Sequence, residues 1–143
     1  MRLLSLLVLF CFASNNVFAN CYCSEVVTAD AAWNESTAIF SGEVVDIIPI
    51  DIYGYIVEIE VYEVWKDRIL DKGNIRYVYS SSGDGGCGLN LLLGESYLFY
   101  VTLYQNSMLI ASKCSPSKLL RYAQDDVQAL NLLRDNPPKS GRK

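Results

Sequence analysis

The chain contains no histidine. That removes the imidazole base of Ser/Cys nucleophile systems and every zinc site that needs a histidine ligand. It also lacks a long basic run: 12 Lys and Arg stand against 16 Asp and Glu, for a net charge of −4, so a phosphate backbone has little to hold and nucleic acid is excluded as a partner. No P-loop or calcium-loop pattern occurs. The glycine-rich stretch from Ser80 to Gly88 lacks the lysine and following helix of a phosphate site and reads as a loop. Proline is scarce, with four residues, and two of these are the adjacent Pro137 and Pro138 near the C-terminus.

What is present begins with an export signal. Met1 and Arg2 give a short positive start, Leu3 to Phe12 an apolar run of ten residues, and Val17, Phe18 and Ala19 a small-x-small cleavage pattern. Together they describe a secretory signal peptide of residues 1–19, whose run is too short to span a bilayer. The expectation is a secreted or periplasmic protein with no membrane association once the signal is cut. Cleavage after Ala19 leaves Asn20 first; cleavage after Asn20 would put Cys21 first but needs bulky Phe18 and Asn20 in the positions that favour small residues. Taking 19 residues from 143 leaves 124, one ordinary domain over 20–135 with a frayed tail over 136–143.

Five cysteines occur, and Cys11 leaves with the signal, so four remain: Cys21, Cys23, Cys87 and Cys114. An even number in an exported chain implies two disulfides, and three pairings are open. Cys21 and Cys23 point to opposite sides of an extended segment, so each more naturally reaches a distant partner. Two such bridges close loops of some 65 to 90 residues, worth roughly 4 kcal/mol each in the chain-entropy model. A redox-active dithiol would instead sit at a helix start, which Cys21 and Cys23 do not.

The secondary structure reads as mainly β. Thr28 caps a short helix to Glu35 that offers Ala32 and Trp33 for packing. Thr37 to Ile48 is a β-branched run. In Tyr53 to Trp65, Tyr55, Val57, Ile59 and Val61 alternate with Glu58 and Glu60, and the phase slips at Tyr62, where Tyr62 and Val64 take over as the apolar positions. A bulge explains the slip and would bend the strand toward a barrel. Asn74 to Ser80 carries Ile75, Tyr77 and Tyr79 on one side. Tyr97 to Tyr104 and Met108 to Lys113 follow, joined by a Gln105, Asn106 turn. Five strands suffice for a small closed barrel. Ser115 and Pro116 then start an amphipathic helix of about five turns through Leu119, Tyr122, Ala123, Val127, Leu130 and Leu133.

Glu58, Glu60 and Glu63 lie on or near the solvent side of one strand without an opposed acid, and Asp125 and Asp126 on the polar side of the last helix, so none reads as catalytic. Trp65 and the ten tyrosines read as core or cross-strand pairs rather than a ligand-stacking surface. Asn34, Glu35 and Ser36 form a glycosylation sequon.

The ordered set of a signal peptide, Cys21-Tyr22-Cys23, a short helix, a strand ending in Val64-Trp65-Lys66-Asp67, a glycine-rich loop with Cys87 and Gly88, Gly94-Glu95-Ser96-Tyr97-Leu98, and Cys114 before a helix resembles one family. It is the inhibitory N-terminal domain of the tissue inhibitors of metalloproteinases, in particular its small single-domain bacterial relatives. The resemblance covers about residues 21 to 133. It implies a netrin-like, five-stranded OB-fold barrel with flanking helices and the disulfides Cys21–Cys87 and Cys23–Cys114. It further implies no enzymatic activity and no cofactor of the chain's own. A zinc metalloprotease would be the partner, bound by a monomer through a wedge of Cys21, Tyr22 and Cys23 with Gly86, Cys87 and Gly88 flanking it. The amine and carbonyl of Cys21 would ligate the partner's zinc, and Tyr22, larger than the small hydroxyl residue common in the animal inhibitors, would need a deep pocket. A different reading stays open: a non-inhibitory extracellular OB-fold module whose barrel surface binds a protein or a saccharide.

Overall fold

The computed structural model describes residues 21–23, 27–69, 73–82, 86–105 and 108–138. The predicted signal peptide, Asn20 and the end of the predicted tail lie outside the described residues, as does Asn106 of the turn after the fourth strand. Helix α1 spans Ala29–Glu35, and its start follows from Thr28, whose Oγ1 accepts the Ala31 N–H at 3.4 Å. Six strands follow: β1 (Ala38–Asp51), β2 (Gly54–Asp67), β3 (Ile75–Ser81), β4 (Ser96–Tyr104), β5 (Met108–Ala111) and the two-residue β6 (Lys118–Leu119), then helix α2 (Gln124–Asp135). Among the described residues no helix is long and apolar enough to cross a membrane.

Strands β1 to β5 close a mixed barrel in the order β1-β2-β3-β5-β4, with β4 returning to β1. All neighbours are antiparallel except β3 and β5, whose parallel pairing is confined to Val78–Leu109 and Tyr79–Ile110. Closure at five strands needs strong bending, and the long β1–β2 ribbon supplies it through four register shifts. One of them leaves Tyr62 without an opposite residue between the pairs Ser41–Glu63 and Gly42–Val61, where the alternation of the sequence slips. Gly42 is required there, because a Cβ at that position would stand 2.5 Å from the Glu60 carbonyl oxygen. The bulge leaves Tyr62 and Val64 exposed, against the expectation that they join the buried face, and buries Trp65 and Lys66 instead.

The barrel has two cores. Inside it Phe40, Val44, Val57, Ile59, Val78, Phe99 and Val101 pack together, with Phe40 and Phe99 paired across β1 and β4 at 5.3 Å between ring centroids. Outside, Ile39, Trp65, Leu98 and Tyr100 are covered by Ala32 and Trp33 of α1 and by Ala123 and Leu130 at α2. Both faces of the first half of β1 and of β4 are therefore buried, which is why 38–42 and 97–101 lack polar alternation. In β3 the inward side is Arg76, Val78 and Ser80, while Tyr77 is exposed and Ile75 and Tyr79 are half-buried. Arg76 is accommodated by an ion pair to Asp67 at 3.0 Å and a hydrogen bond to the Gly73 carbonyl at 2.5 Å. Of the ten tyrosines only Tyr97 and Tyr100 are buried; Tyr77 and Tyr104 are exposed in cross-strand pairs with Glu58 and Met108, and Tyr62 is exposed at the bulge without a register partner.

The segment after Cys114 departs most from expectation. It does not become helical at Ser115. The edge of β4 is paired with β5 through Val101–Tyr104 and with β6 through Tyr97–Leu98, leaving Tyr100 between the two ladders. Ser117 fills that gap: its Oγ accepts the Tyr100 N–H at 2.7 Å and donates to the Tyr100 carbonyl at 3.3 Å. Satisfying buried backbone groups outweighs the local helix preference, so the chain stays extended through Leu119 and turns in a 3-10 coil over Leu120–Tyr122. Helix α2 is thus twelve residues, and Tyr122 is exposed rather than part of its buried stripe.

Past Val44, β1 has β2 alone as a partner. That free edge is blunted: the Ile47 N–H is taken by Asp46 Oδ1 at 2.8 Å and Pro49 has no N–H to offer.

Candidate functional site

Cys21 is bonded to Cys87 and Cys23 to Cys114, with Cα–Cα distances of 5.2 and 5.3 Å, the pairs that the resemblance implies. Each bridge lands on a different segment. Cys87 lies in the loop between β3 and β4, and Cys114 lies just past β5. The two landing segments are themselves joined, by the bridge between Gly88 and Ser112 and by the Lys113 N–H donating to the Cys87 carbonyl at 2.8 Å. The end of β5 is further held by the Cys114 N–H on Ser112 Oγ at 3.1 Å and by Ser115 Oγ on the Ser112 carbonyl at 2.7 Å. The Cys21–Cys23 tripeptide is therefore fastened at both ends to one hydrogen-bonded unit of the barrel rim.

Between the two anchors Tyr22 is 88% exposed, the most exposed large apolar side chain among the described residues. The two glycines flanking Cys87 are set by close packing. Gly88 cannot be replaced without a shift of β3, since a Cβ would stand 2.1 Å from the Ser81 carbonyl oxygen, and one at Gly86 would stand 2.9 Å from that of Ser82. These glycines are thus demanded by the fold, which seats the backbone around Cys87 directly on the end of β3. A cavity of about 280 Å³ opens next to them, walled by Tyr55, Ser81, Ser82, Gly86, Gly88 and Lys113. The β1–β2 turn reaches the same end of β3: the Ser82 N–H donates to the Tyr53 carbonyl at 2.7 Å, and Ile52 and Tyr53 are exposed there.

The sulfurs are crowded. Cys21 Sγ and Cys114 Sγ, which belong to different bridges, are 3.5 Å apart, and the Sγ atoms of Cys21, Cys23 and Cys114 all lie within 4.8 Å of one another. Each is held in a disulfide, so none carries the thiolate that a metal requires. Two bridges formed in one place are consistent with an oxidising extracellular environment.

The carboxylates judged non-catalytic remain scattered. Glu63 is paired with Arg134 at 2.8 Å and Asp126 with Lys118 at 2.7 Å, while Glu60 and Asp125 are exposed. Trp65 is 5% exposed and donates its Nε1–H to Asn131 Oδ1 at 2.7 Å. Sequence reasoning did not single out Ser81 and Lys113, which border the cavity next to Gly86 and Gly88; only the topology brings them there. Compared with models of known protein families and with curated proteins, the chain gives no match.

Proposed function

We propose that the chain is an exported inhibitor of zinc metalloproteases, similar to the N-terminal domain of the tissue inhibitors of metalloproteinases and acting through Cys21 and Tyr22. One observation supports this above the others: the Cys21–Cys23 tripeptide is tied at both cysteines to a rigid rim while Tyr22 projects between the ties. Tying a short segment before binding removes the ordering cost, about 1–2 kcal/mol per residue of backbone, that a free N-terminus would meet in a protease cleft.

By the family's mechanism the α-amino nitrogen and carbonyl oxygen of Cys21 ligate the protease's zinc and displace the attacking water, while Tyr22 enters the specificity pocket. The amine binds metal only when neutral, and its ordinary pKa of about 7.7–8.0 makes that form available near neutral pH. An Asn20 left by signal cleavage would turn this nitrogen into an amide, a poor donor, and would occupy the metal's open position. Removal of Asn20 is accordingly the activating step in this reading.

The test is a pair of purified forms, one beginning at Asn20 and one at Cys21, verified by intact mass before and after reduction and assayed against a panel of zinc endopeptidases. The Cys21 form inhibits, the Asn20 form is at least 100-fold weaker, and acetylating the Cys21 amine abolishes the effect. Absence of inhibition by both forms overturns the proposal in favour of an interaction module.

A further inference from the structure

A second cleft, of about 430 Å³, lies between the outer face of the barrel and α2 and shares no residue with the disulfide-tied rim. Its floor is apolar: the Trp65 indole from β2, Leu120 from the 3-10 turn and Val127 from α2. The indole is fixed in orientation by its hydrogen bond to Asn131. The rim is polar and is built from Ser41, Glu63, Gln124 and Gln128.

The state of those rim groups identifies a ligand class. Glu63 already accepts from Arg134 at 2.8 Å, so the rim presents an internally neutralised pair rather than a free charge. Gln124 and Gln128 are one turn apart on the same face of α2, and their amides have no hydrogen-bond partner among the described residues. Ser41 is only 3% exposed, lines the cleft, and its hydroxyl is likewise without a partner among the described residues.

We propose that this cleft binds a neutral sugar ring. A pyranose has one face of C–H groups, which suits the indole and aliphatic floor, and a perimeter of hydroxyls that both donate and accept, as the two amides and Ser41 do. The cleft falls in the size range of small-molecule sites, roughly 300–1,000 Å³, and has their composition of an apolar floor with a few convergent polar groups. A wholly apolar ligand would bury the two amides and the hydroxyl unpaired, at about 1–3 kcal/mol each. An anion would meet the Glu63 carboxylate and a cation the Arg134 guanidinium.

The experiment is a titration of the full ¹⁵N-labelled chain with glucose, galactose, N-acetylglucosamine and maltose, followed by ¹H–¹⁵N correlation spectra. At least one sugar gives saturable shifts at the Trp65 indole N–H and the Gln124 and Gln128 side-chain amides. The Gln124→Ala, Gln128→Ala double variant, at surface positions where alanine favours the helix, weakens that binding at least tenfold with an otherwise unchanged spectrum. Absence of saturable shifts with every sugar, shifts produced only by an apolar probe such as anilinonaphthalene sulfonate, or undiminished binding by the double variant each overturn the proposal. Protease inhibition is unaffected by the double variant, so this reading and that of the N-terminal wedge fail separately.

Discussion

Tyr100→Phe removes a single oxygen from the outer core, and the structure assigns that oxygen a cost. Tyr100 is 1% exposed, and its hydroxyl, fully shut from solvent, has no hydrogen-bond partner among the described residues. Burying a hydroxyl unpaired costs roughly 1–3 kcal/mol. The gap left by deleting it is smaller than one water's share of volume, ~30 Å³, and so costs at most ~0.7 kcal/mol at ~24 cal/mol per Å³. The net expectation is a gain of about 1 kcal/mol, read as a urea midpoint higher by about 0.5 M at unchanged slope. A second readout comes from alkaline pH. Burial first, then the nearby charges of Asp126 and Asp30, hold the Tyr100 phenol well above its usual range. Above pH 10 the unfolded chain ionises this phenol and the folded chain does not. Stability therefore falls as pH rises, by up to about 1.4 kcal/mol per pH unit from this group, and the phenylalanine variant lacks that loss. Tyr62, whose phenol is raised by its hydrogen bond to Glu43, is common to both proteins and cancels in the comparison. A variant that is destabilised and keeps the alkaline loss would refute the reasoning, because the hydroxyl would then be hydrogen-bonded in solution.

Other expectations follow from the same structure. Replacing Cys23 and Cys114 together by serine opens a bridge of sequence separation 91, which the chain-entropy model values at about 4.5 kcal/mol; calorimetry should show that loss, and a change under 1 kcal/mol would mean the other bridge alone holds the rim. Gly88→Ala forces a Cβ against the Ser81 carbonyl and should destabilise by about 3 kcal/mol in chemical denaturation, whereas Asn90→Ala nearby should be near neutral. Lys66 is 9% exposed, donates to the Trp33 carbonyl and stands over the Trp33 ring, and its ammonium titrates below the ordinary lysine value, through burial first and then the charge of Arg68. The folded protein sheds this proton at lower pH than the unfolded chain, so wild-type stability rises as pH climbs through the lowered pKa toward 10.5. Lys66→Met should match wild type within about 1 kcal/mol at pH 7 and lose the rise below pH 10, which midpoints at pH 7, 9 and 10 would reveal.

Features written in short-range pattern were readable from the chain alone. The alternation of Tyr55, Val57, Ile59 and Val61 marks β2 because side chains in a strand alternate faces regardless of what they meet. Its slip at Tyr62 marks the bulge, and Thr28 marks the start of α1 through a bond closed within one turn. A closed barrel of five strands, two α-helices and two bridges are the architecture the structure has, with the two-residue β6 added at the edge of β4, and the cysteine count restricted the bridges to three pairings before any fold was known. The choice among those pairings came from resemblance; spacing could not make it.

What the tertiary structure alone decided has a common cause: each case turns on a group distant in the chain. Ser115 and Pro116 carry a local helix signal, yet Ser117 is claimed by the backbone of Tyr100 and the helix waits until Gln124. Arg76 sits on the inward side of β3 because Asp67 is there to pair with it. Tyr62 and Val64 are exposed although apolar, since the register with β1 sets which side is core. At the candidate site the sequence nominated Cys21, Tyr22, Cys23, Gly86, Cys87 and Gly88, but the rim that fixes them, joined through Lys113 and Ser112, and the cleft beneath Gln124 and Gln128 exist only after the barrel has closed. Local pattern states what a segment prefers; burial and hydrogen-bond satisfaction across the barrel decide which preferences survive.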